Sequence, residues 1–484
     1  MSDDRLIRIL TYLAILLFVS AGVLPLTRGR YPWTKWARWG AIGIFSIAVV
    51  YALALTIGWG LNRGYWRKVS ADGGYRAWYG RDTINREVRV FRKLAVLIVA
   101  AAASLPATLA AQTVKIGLIN SYTGFVAQPA DQGQKGTDLY IREHEKDLPP
   151  GVKIEILKRD DTSNPEVGKR LAQELITRDH VQLLTGIILS PVATAVAPLT
   201  AEAKVPLVLS YAAAGVTIPR LSPFVVRVTF TLWQGSYPMG KWAAEQGWKT
   251  GYTAVTDFIA GHDAEAAFSK AFTDAGGKIV GADRFPLANP DFTPFVHRIK
   301  DAKPEVAFIF VPAGTQATAM IRAINEVGLR EAGIKIAAPQ DLLPDEELPN
   351  MGDVPLGLIT SGTYSAAGKR PANEAFLAAW KREYGDKAIP DFFSVDGWDG
   401  MAMIFDLIKS TKGKFTADEA MSFFSHWKDP NSPRGPIEID PQTRDIIQNI
   451  YIRRVEREGG KLANVEIATI PMVKDPWKEL NPPK

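Results

Sequence analysis

Thr113-Val114-Lys115-Ile116-Gly117-Leu118-Ile119-Asn120-Ser121-Tyr122-Thr123-Gly124 opens the part of the chain whose reading decides the fold. Residues 114–119 form a short run rich in β-branched side chains, which ends in a small, polar turn. That is how strands are bounded, and a helical pattern near residues 131–145 follows it. The alternation then repeats. Residues 153–157 precede a helix near 165–177, residues 182–185 precede one starting at Pro191, and residues 205–209 close the set. A second set of strand candidates covers 252–256, 278–282, 306–310, 335–338 and 358–359, with helices between most of them. Strands separated by helices of about 10–15 residues predict βαβ units and parallel sheets. Two such sets predict an α/β chain with two doubly wound lobes.

Doubly wound sheets take ligands at the carboxyl ends of their strands, in the loops that lead into helices. Two loops stand out here. Ser121-Tyr122-Thr123-Gly124 follows the first strand, and Leu189-Ser190-Pro191 follows the third. In the second, Ser190 suits an N-cap and Pro191 the first helical position. Val192, Val196 and Leu199 recur at i, i+4 and i+7, so that helix has a buried face. Its N-terminus and the Ser190 hydroxyl together suit a carboxylate. The plainer alternative is that Ser190 only caps its helix.

Composition narrows the function classes. The 484 residues are 47% hydrophobic and 22% charged, as expected of a folded chain with a large core. No cysteine occurs, which excludes disulfides, thiolate metal sites and a cysteine nucleophile. The net charge of +6 is unevenly spread: residues 1–111 hold 15 Lys+Arg and 5 Asp+Glu, and the remainder 42 and 46. The body is therefore mildly acidic, and nucleic-acid binding loses its electrostatic basis.

The basic front of the chain has its own pattern. Residues 9–26 and 39–61 are apolar and uncharged, each long enough to cross a bilayer at about 20 residues. Residues 94–111 follow Arg89, Arg92 and Lys93 and end in Ala107-Thr108-Leu109-Ala110-Ala111, the form of a secretory signal peptide. Cleavage after Ala110 or Ala111 would leave a mature start near Gln112. Two explanations stand for residues 1–93: a two-span membrane anchor, or a gene start placed too far upstream. The expected location is the periplasm, with anchoring to the inner membrane if residues 1–93 are retained.

Enzyme chemistry requires a constellation of groups, and none is legible. His144, His180, His262, His297 and His426 show no metal-ligand spacing on one helix. A nucleophile elbow and a P-loop lysine are both missing. Gly117 and Gly124 stand too far apart for a dinucleotide fingerprint. No catalytic residue, metal or organic cofactor is expected.

A family resemblance sharpens these readings. Lys115-Ile116-Gly117-Leu118, Thr123-Gly124, Ala127-Gln128, Asp131-Gln132-Gly133 and Gly136 together resemble the opening of the leucine/isoleucine/valine-binding protein family. Ser190, Val205-Pro206-Leu207, Phe224-Val225-Val226-Arg227-Val228, Gly261-His262-Asp263, Ala302-Lys303-Pro304, Tyr364-Ser365 and Ser432-Pro433-Arg434-Gly435-Pro436 resemble later parts of it. The likeness is strongest to its branch for aromatic and other organic acids. The resemblance implies a type I periplasmic-binding fold with three crossovers, near residues 227–232, 359–364 and 448–453. Lobe 1 would hold residues 112–231 and 362–447, and lobe 2 residues 232–361 and 448–484. The tail from Pro471 to Lys484 is expected to be peripheral.

The same resemblance implies ligand contacts. Ser190 matches the hydroxyl that takes the ligand carboxylate; Tyr211, Ala212 and Ala213 match the loop that completes that grip. Phe393 matches a pocket aromatic, and Tyr122 lies on the first strand's loop. Three positions depart from the amino-acid-binding members: Pro129 and Ala260 stand where those carry aromatics, and Gln340 aligns with the carboxylate that receives the ligand ammonium. An amide cannot neutralise a buried ammonium, so the ligand expected is a small organic acid, an aromatic carboxylate first. Asp341 stands one residue on from Gln340, and a register shift of one would restore the carboxylate.

The expected role is that of the solute receptor of an ABC importer, handing its ligand to permease and ATPase subunits on other chains. The alternatives are a membrane-tethered ligand sensor of the same fold and a branched-chain amino-acid binder.

Overall fold

The computed structural model describes residues 112–215 and 221–482. The two apolar stretches and the signal-like segment lie outside the described residues, and so do residues 216–220. Among the described residues no helix is long and apolar enough to cross a membrane.

The first half alternates strand and helix. Strands β1 (Gln112–Asn120), β2 (Val152–Asp160), β3 (Leu183–Gly186), β4 (Leu207–Leu209) and β5 (Val225–Arg227) pair in parallel in the order β2-β1-β3-β4-β5. Helices α1 (Ala127–His144), α2 (Pro165–Thr177) and α3 (Ser190–Ala203) connect successive strands. β3, β4 and β5 are wholly buried, as parallel strands covered on both faces are. Helix α2 begins where it does because Asn164 accepts the N–H groups of Glu166 and Val167, with Pro165 in the first turn.

The second sheet grows from α4 (Leu232–Glu245), β6 (Thr250–Thr256), α5 (Ile259–Asp274), β7 (Lys278–Phe285), α6 (Thr293–Ala302), β8 (Val306–Phe310), α7 (Thr315–Val327), β9 (Lys335–Pro339) and β10 (Ile359–Gly362). The chain then returns to the first sheet as α8 (Pro371–Tyr384), α9 (Phe392–Thr411) and α10 (Ala417–Phe424). It finishes on the second with β11 (Lys428–Asp429), β12 (Ile437–Ile439), β13 (Ile446–Glu458), β14 (Lys461–Val473) and α11 (Pro476–Leu480). Among the described residues this sheet has nine strands in the order β11-β12-β13-β10-β9-β8-β6-β7, with β14 paired to β13. Strands β6 to β10 run parallel, and β13 joins them antiparallel to β10. The fold is thus the α/β, doubly wound, two-lobed arrangement of the type I class.

Helix α9 packs on α1 so closely that two glycines are obligatory. A Cβ on Gly136 would sit 1.8 Å from the Ser394 carbonyl oxygen, and one on Gly397 would sit 2.2 Å from that of Gly133. Gly136 and Gly397 therefore serve helix packing, and they let the last third of the chain seal the first sheet.

The tail corrects an expectation. β14 pairs with β13 along most of its length, and beyond it Asp475 and Lys478 are buried. Lys478 pairs with Asp445, and Asp475 caps α11 through the Trp477 N–H. The apolar alternation that would mark such a strand is weak because one of its faces stays half exposed.

Candidate functional site

The carboxyl ends of both parallel sheets converge on one cavity. Its wall takes Val126 and Pro129 from the start of α1; Ile188, Leu189 and Ser190 from the connection after β3; and Tyr211 and Ala213 from the loop after β4. Phe230 and Leu232 lie on the crossover after β5. The second sheet contributes Phe258 and Ala260 after β6, Phe310, Pro312 and Ala313 at the end of β8, and Asp341 after β9. Phe393, in the first turn of α9, completes it. The space between these walls is about 420 Å³ when the open mouth is counted with it.

The walls are apolar and rich in rings. Phe393 meets Tyr211 edge-on at 6.3 Å between centroids, and Phe258 stacks on Phe310 at 6.0 Å. The Tyr211 hydroxyl is tied to Thr137 Oγ1 at 3.2 Å, which fixes the ring against the cavity. Burial pushes that phenol well above its ordinary value, so it stays a neutral hydroxyl.

Two polar groups interrupt this surface. The first is Ser190. Leu189 occupies the N-cap position of α3 with no side-chain cap, so Ser190 does not cap its own helix as a plain N-cap would. Its Oγ instead accepts the N–H of Ala214 at 3.2 Å. A hydroxyl that accepts in this way keeps its own proton to donate, and it does so beside first-turn N–H groups that have no intrahelical partner.

The second is Asp341, which is 6% exposed. Among the described residues its Oδ2 has no hydrogen-bond partner. Burial raises its carboxyl to about 7, against the pull of its own backbone N–H and of Arg453.

Of the residues singled out in the sequence, Ser190, Tyr211, Ala213, Ala260 and Phe393 line the cavity. Ala212 is buried between two lining neighbours without joining the wall. Tyr122 stays with its own sheet: its hydroxyl donates to Gln134 and its N–H to Asp160. Gln340 is turned away, its Oε1 accepting from the Thr363 N–H at 2.8 Å, and Asp341 takes its place in the wall. The wall therefore does hold a carboxylate, and Gln340 by itself excludes no amino-acid ligand. β9 ends at Pro339, and the short helical turn after it presents the second residue, not the first. Phe230, Phe258 and Phe310 are lining residues that the sequence reading does not single out. Each lies within three residues of a strand's carboxyl end, which is the signal that marks them.

The two walls also touch outside the cavity. Gly215 in the loop after β4 donates its N–H to Asp263 Oδ2 of α5 at 2.9 Å. On the other flank Gln128 of α1 donates to Glu346 beyond β9. Gly314, at φ +95°, is placed so that a Cβ there would be 3.2 Å from both the Phe125 carbonyl oxygen and Pro129 Cδ. The cleft is closed. Burial raises the Asp263 and Glu346 carboxyls above their ordinary values.

Behind the cleft, Arg434 ties the crossovers together. Its Nη1 meets Asp396 Oδ1 at 2.6 Å, its Nε lies 2.9 Å from Asp399 Oδ2, and its Nη2 donates to the Val228 carbonyl at 2.7 Å. The Arg434 carbonyl accepts from the Tyr451 hydroxyl at 2.8 Å. Burial pushes Asp396 to about 6 and Asp399 to about 7, with the guanidinium opposing it in both.

Comparison with known proteins places this geometry. A family model described as periplasmic binding protein matches residues 113–461. The Leu/Ile/Val-binding protein homolog 6 of Brucella melitensis is 38% identical over 387 residues, covering 79% of this chain and 97% of that protein. Among solved structures, a solute binding protein of an ABC transporter from Rhodopseudomonas palustris BisB5, in complex with 3,4-dihydroxybenzoic acid, is 45% identical. Its TM-score is 0.73, over 76% of this chain and 99% of that one. A solute binding protein of an R. palustris ABC transporter in complex with 4-hydroxybenzoate is 38% identical, with a TM-score of 0.72 over 75% and 98%.

Proposed function

The chain belongs to the periplasmic binding protein family, and from that premise we propose that it is the extracytoplasmic solute receptor of an ABC importer for aromatic carboxylates. The observation that carries this is the make-up of the cavity: ring-lined walls, with the Ser190 hydroxyl and the α3 N-terminus at one point. On this reading a flat ring lies among Phe258, Phe310, Phe393 and Tyr211, which line the cavity, and its carboxylate meets donors without needing a cationic side chain. The solved relatives at 45% and 38% identity hold hydroxylated benzoates, which supports the same ligand class here.

On this reading Ser190, Tyr211 and Ala213 grip the carboxylate end, and Ala260 and Phe393 line the ring. The lobes are residues 112–231 with 362–447 and residues 232–361 with 448–484; β12 and the start of β13 pack in the core of the first lobe, although β13 runs on into the second sheet. They close by hinge motion, driven by contacts that only the closed form makes. The partners are a permease and an ATPase on other chains, and the place of work is the periplasm.

The test is a thermal-shift and calorimetric screen against aromatic carboxylates, aliphatic acids, leucine and sugars. A ligand at 100 times its Kd stabilises the fold by about 2.7 kcal/mol, a rise of several degrees. Aromatic carboxylates are expected to give that rise. Micromolar leucine binding without any response to aromatic carboxylates would overturn the reading in favour of a branched-chain amino-acid binder.

A further inference from the structure

Asp341 is an expensive residue to keep where it is. It sits in a wall otherwise built from Phe258, Ala260, Phe310, Pro312 and Ala313 on its side of the cleft, and its Oδ2 is left without a partner among the described residues. A buried acceptor that nothing satisfies costs stability unless a ligand supplies the missing donor. Its Oδ2 therefore calls for a hydrogen-bond donor from the cavity. An ammonium brings three donors and would leave two of them facing apolar walls; a hydroxyl brings one. Asp341 hangs from the second sheet and Ser190 from the first, so the two polar groups address the ligand from opposite walls.

Resting on the aromatic-acid reading above, we propose that the Asp341 carboxyl is the subsite for a hydroxyl on the ligand's ring, so that the cleft selects hydroxybenzoates over benzoate itself. A ring bearing a carboxylate and, away from it, a hydroxyl spans from the Ser190 side to the Asp341 side. Benzoate satisfies the first and leaves the second buried and unpaired. Sites built to hydrogen-bond a hydroxyl discriminate strongly against the analogue that lacks it, because their own polar group is then stranded.

The experiment is calorimetry of the whole protein with 4-hydroxybenzoate and with benzoate, on the wild type, Asp341→Asn and Asp341→Leu. The wild type is expected to prefer 4-hydroxybenzoate by at least tenfold. Asp341→Asn retains an acceptor and keeps part of that preference. Asp341→Leu is expected to bring the two affinities within threefold, chiefly by weakening 4-hydroxybenzoate. Equal affinities in the wild type would overturn the subsite and leave the aromatic-acid reading intact. So would an unchanged preference in both variants. Failure of the wild type to bind either compound would overturn the aromatic-acid reading and the subsite with it. Circular dichroism of each variant separates loss of binding from loss of fold, and Asp341→Asn carries the test if Asp341→Leu does not fold.

Discussion

Asp263 and Gly215 join the two walls of the cleft, the carboxylate of α5 accepting a backbone N–H from the loop after β4 at 2.9 Å. The bond forms only when the walls meet, so its free energy adds to ligand binding and not to the stability of an open protein. A hydrogen bond to a charged group contributes about 1.5–3 kcal/mol. Asp263→Ala is expected to weaken ligand binding by about tenfold or more. The loss should appear in the dissociation rate, because the contact forms after encounter. Stopped-flow fluorescence reads both rates; an unchanged dissociation rate would remove Asp263 from the closing mechanism.

Ser190→Ala deletes the hydroxyl at the start of α3 and keeps the helix, since that hydroxyl bonds Ala214 and not its own first turn. Affinity for an aromatic carboxylate should fall by about 10- to 100-fold, the worth of a charge-assisted hydrogen bond. Melting temperature without ligand should move by only a few degrees. Calorimetry and a thermal melt on the same sample check both halves.

Arg434 stands between two buried carboxylates, Asp396 and Asp399. Removing it leaves both uncompensated, and breaking a buried pair from one side costs about 3–5 kcal/mol. Arg434→Met should lower the urea midpoint by a corresponding amount. Because Arg434 also holds the Val228 carbonyl and Tyr451, it should alter the closing equilibrium as well, visible as a changed radius of gyration with and without ligand.

Asp341 should leave a signature in the pH dependence of stability. Its folded-state value of about 7 lies above the ordinary carboxylate value, so the folded state binds its proton more tightly than the unfolded chain does. The stability it contributes is therefore fully present below the ordinary value and is lost as pH rises through about 7. Asp341→Asn cannot ionise and does not take part in that loss. Its stability relative to wild type should rise between pH 5 and pH 8 by about 1 kcal/mol or more, since a tenfold change in proton affinity is worth about 1.4 kcal/mol. Asp345 is raised to about 6 and titrates in the same window, but it is common to both proteins and cancels in the difference; Asp396, also raised to about 6, repels Asp341 and so adds to its shift. Denaturant titrations at the two pH values give the number, and a pH-independent difference would count against the assignment.

Much of the architecture can be read from the chain because parallel α/β units carry local signals. The helix placed at 165–177 begins at Pro165, directly after its cap Asn164, and its observed limits are the same, Pro165–Thr177. Strands such as β8 are continuous apolar runs with clear ends. The last strands are harder. β11 and β12 are two and three residues long, and β14 is half exposed, so none carries a full hydrophobic period.

The cavity is partly legible for a related reason. Ser190 sits at a helix start that the sequence marks, Phe393 is reached through the family resemblance, and both line the cavity. Gln340 and Asp341 cannot be told apart in the sequence, because the choice depends on where β9 stops and how the turn after it winds. A one-residue difference there decides which side chain faces the ligand. Phe230, Phe258 and Phe310 come from different loops, and only the closing of the two sheets makes them neighbours.

The Arg434 junction also governs the order in which this polypeptide acquires its shape. Val228 waits for a guanidinium 206 residues further along the chain, and the groove of α1 at Gly133 and Gly136 waits for α9. During synthesis the amino-terminal sheet thus stays unsealed on one side until nearly the whole molecule has been made. Such long-range closure makes folding slow and vulnerable to premature association.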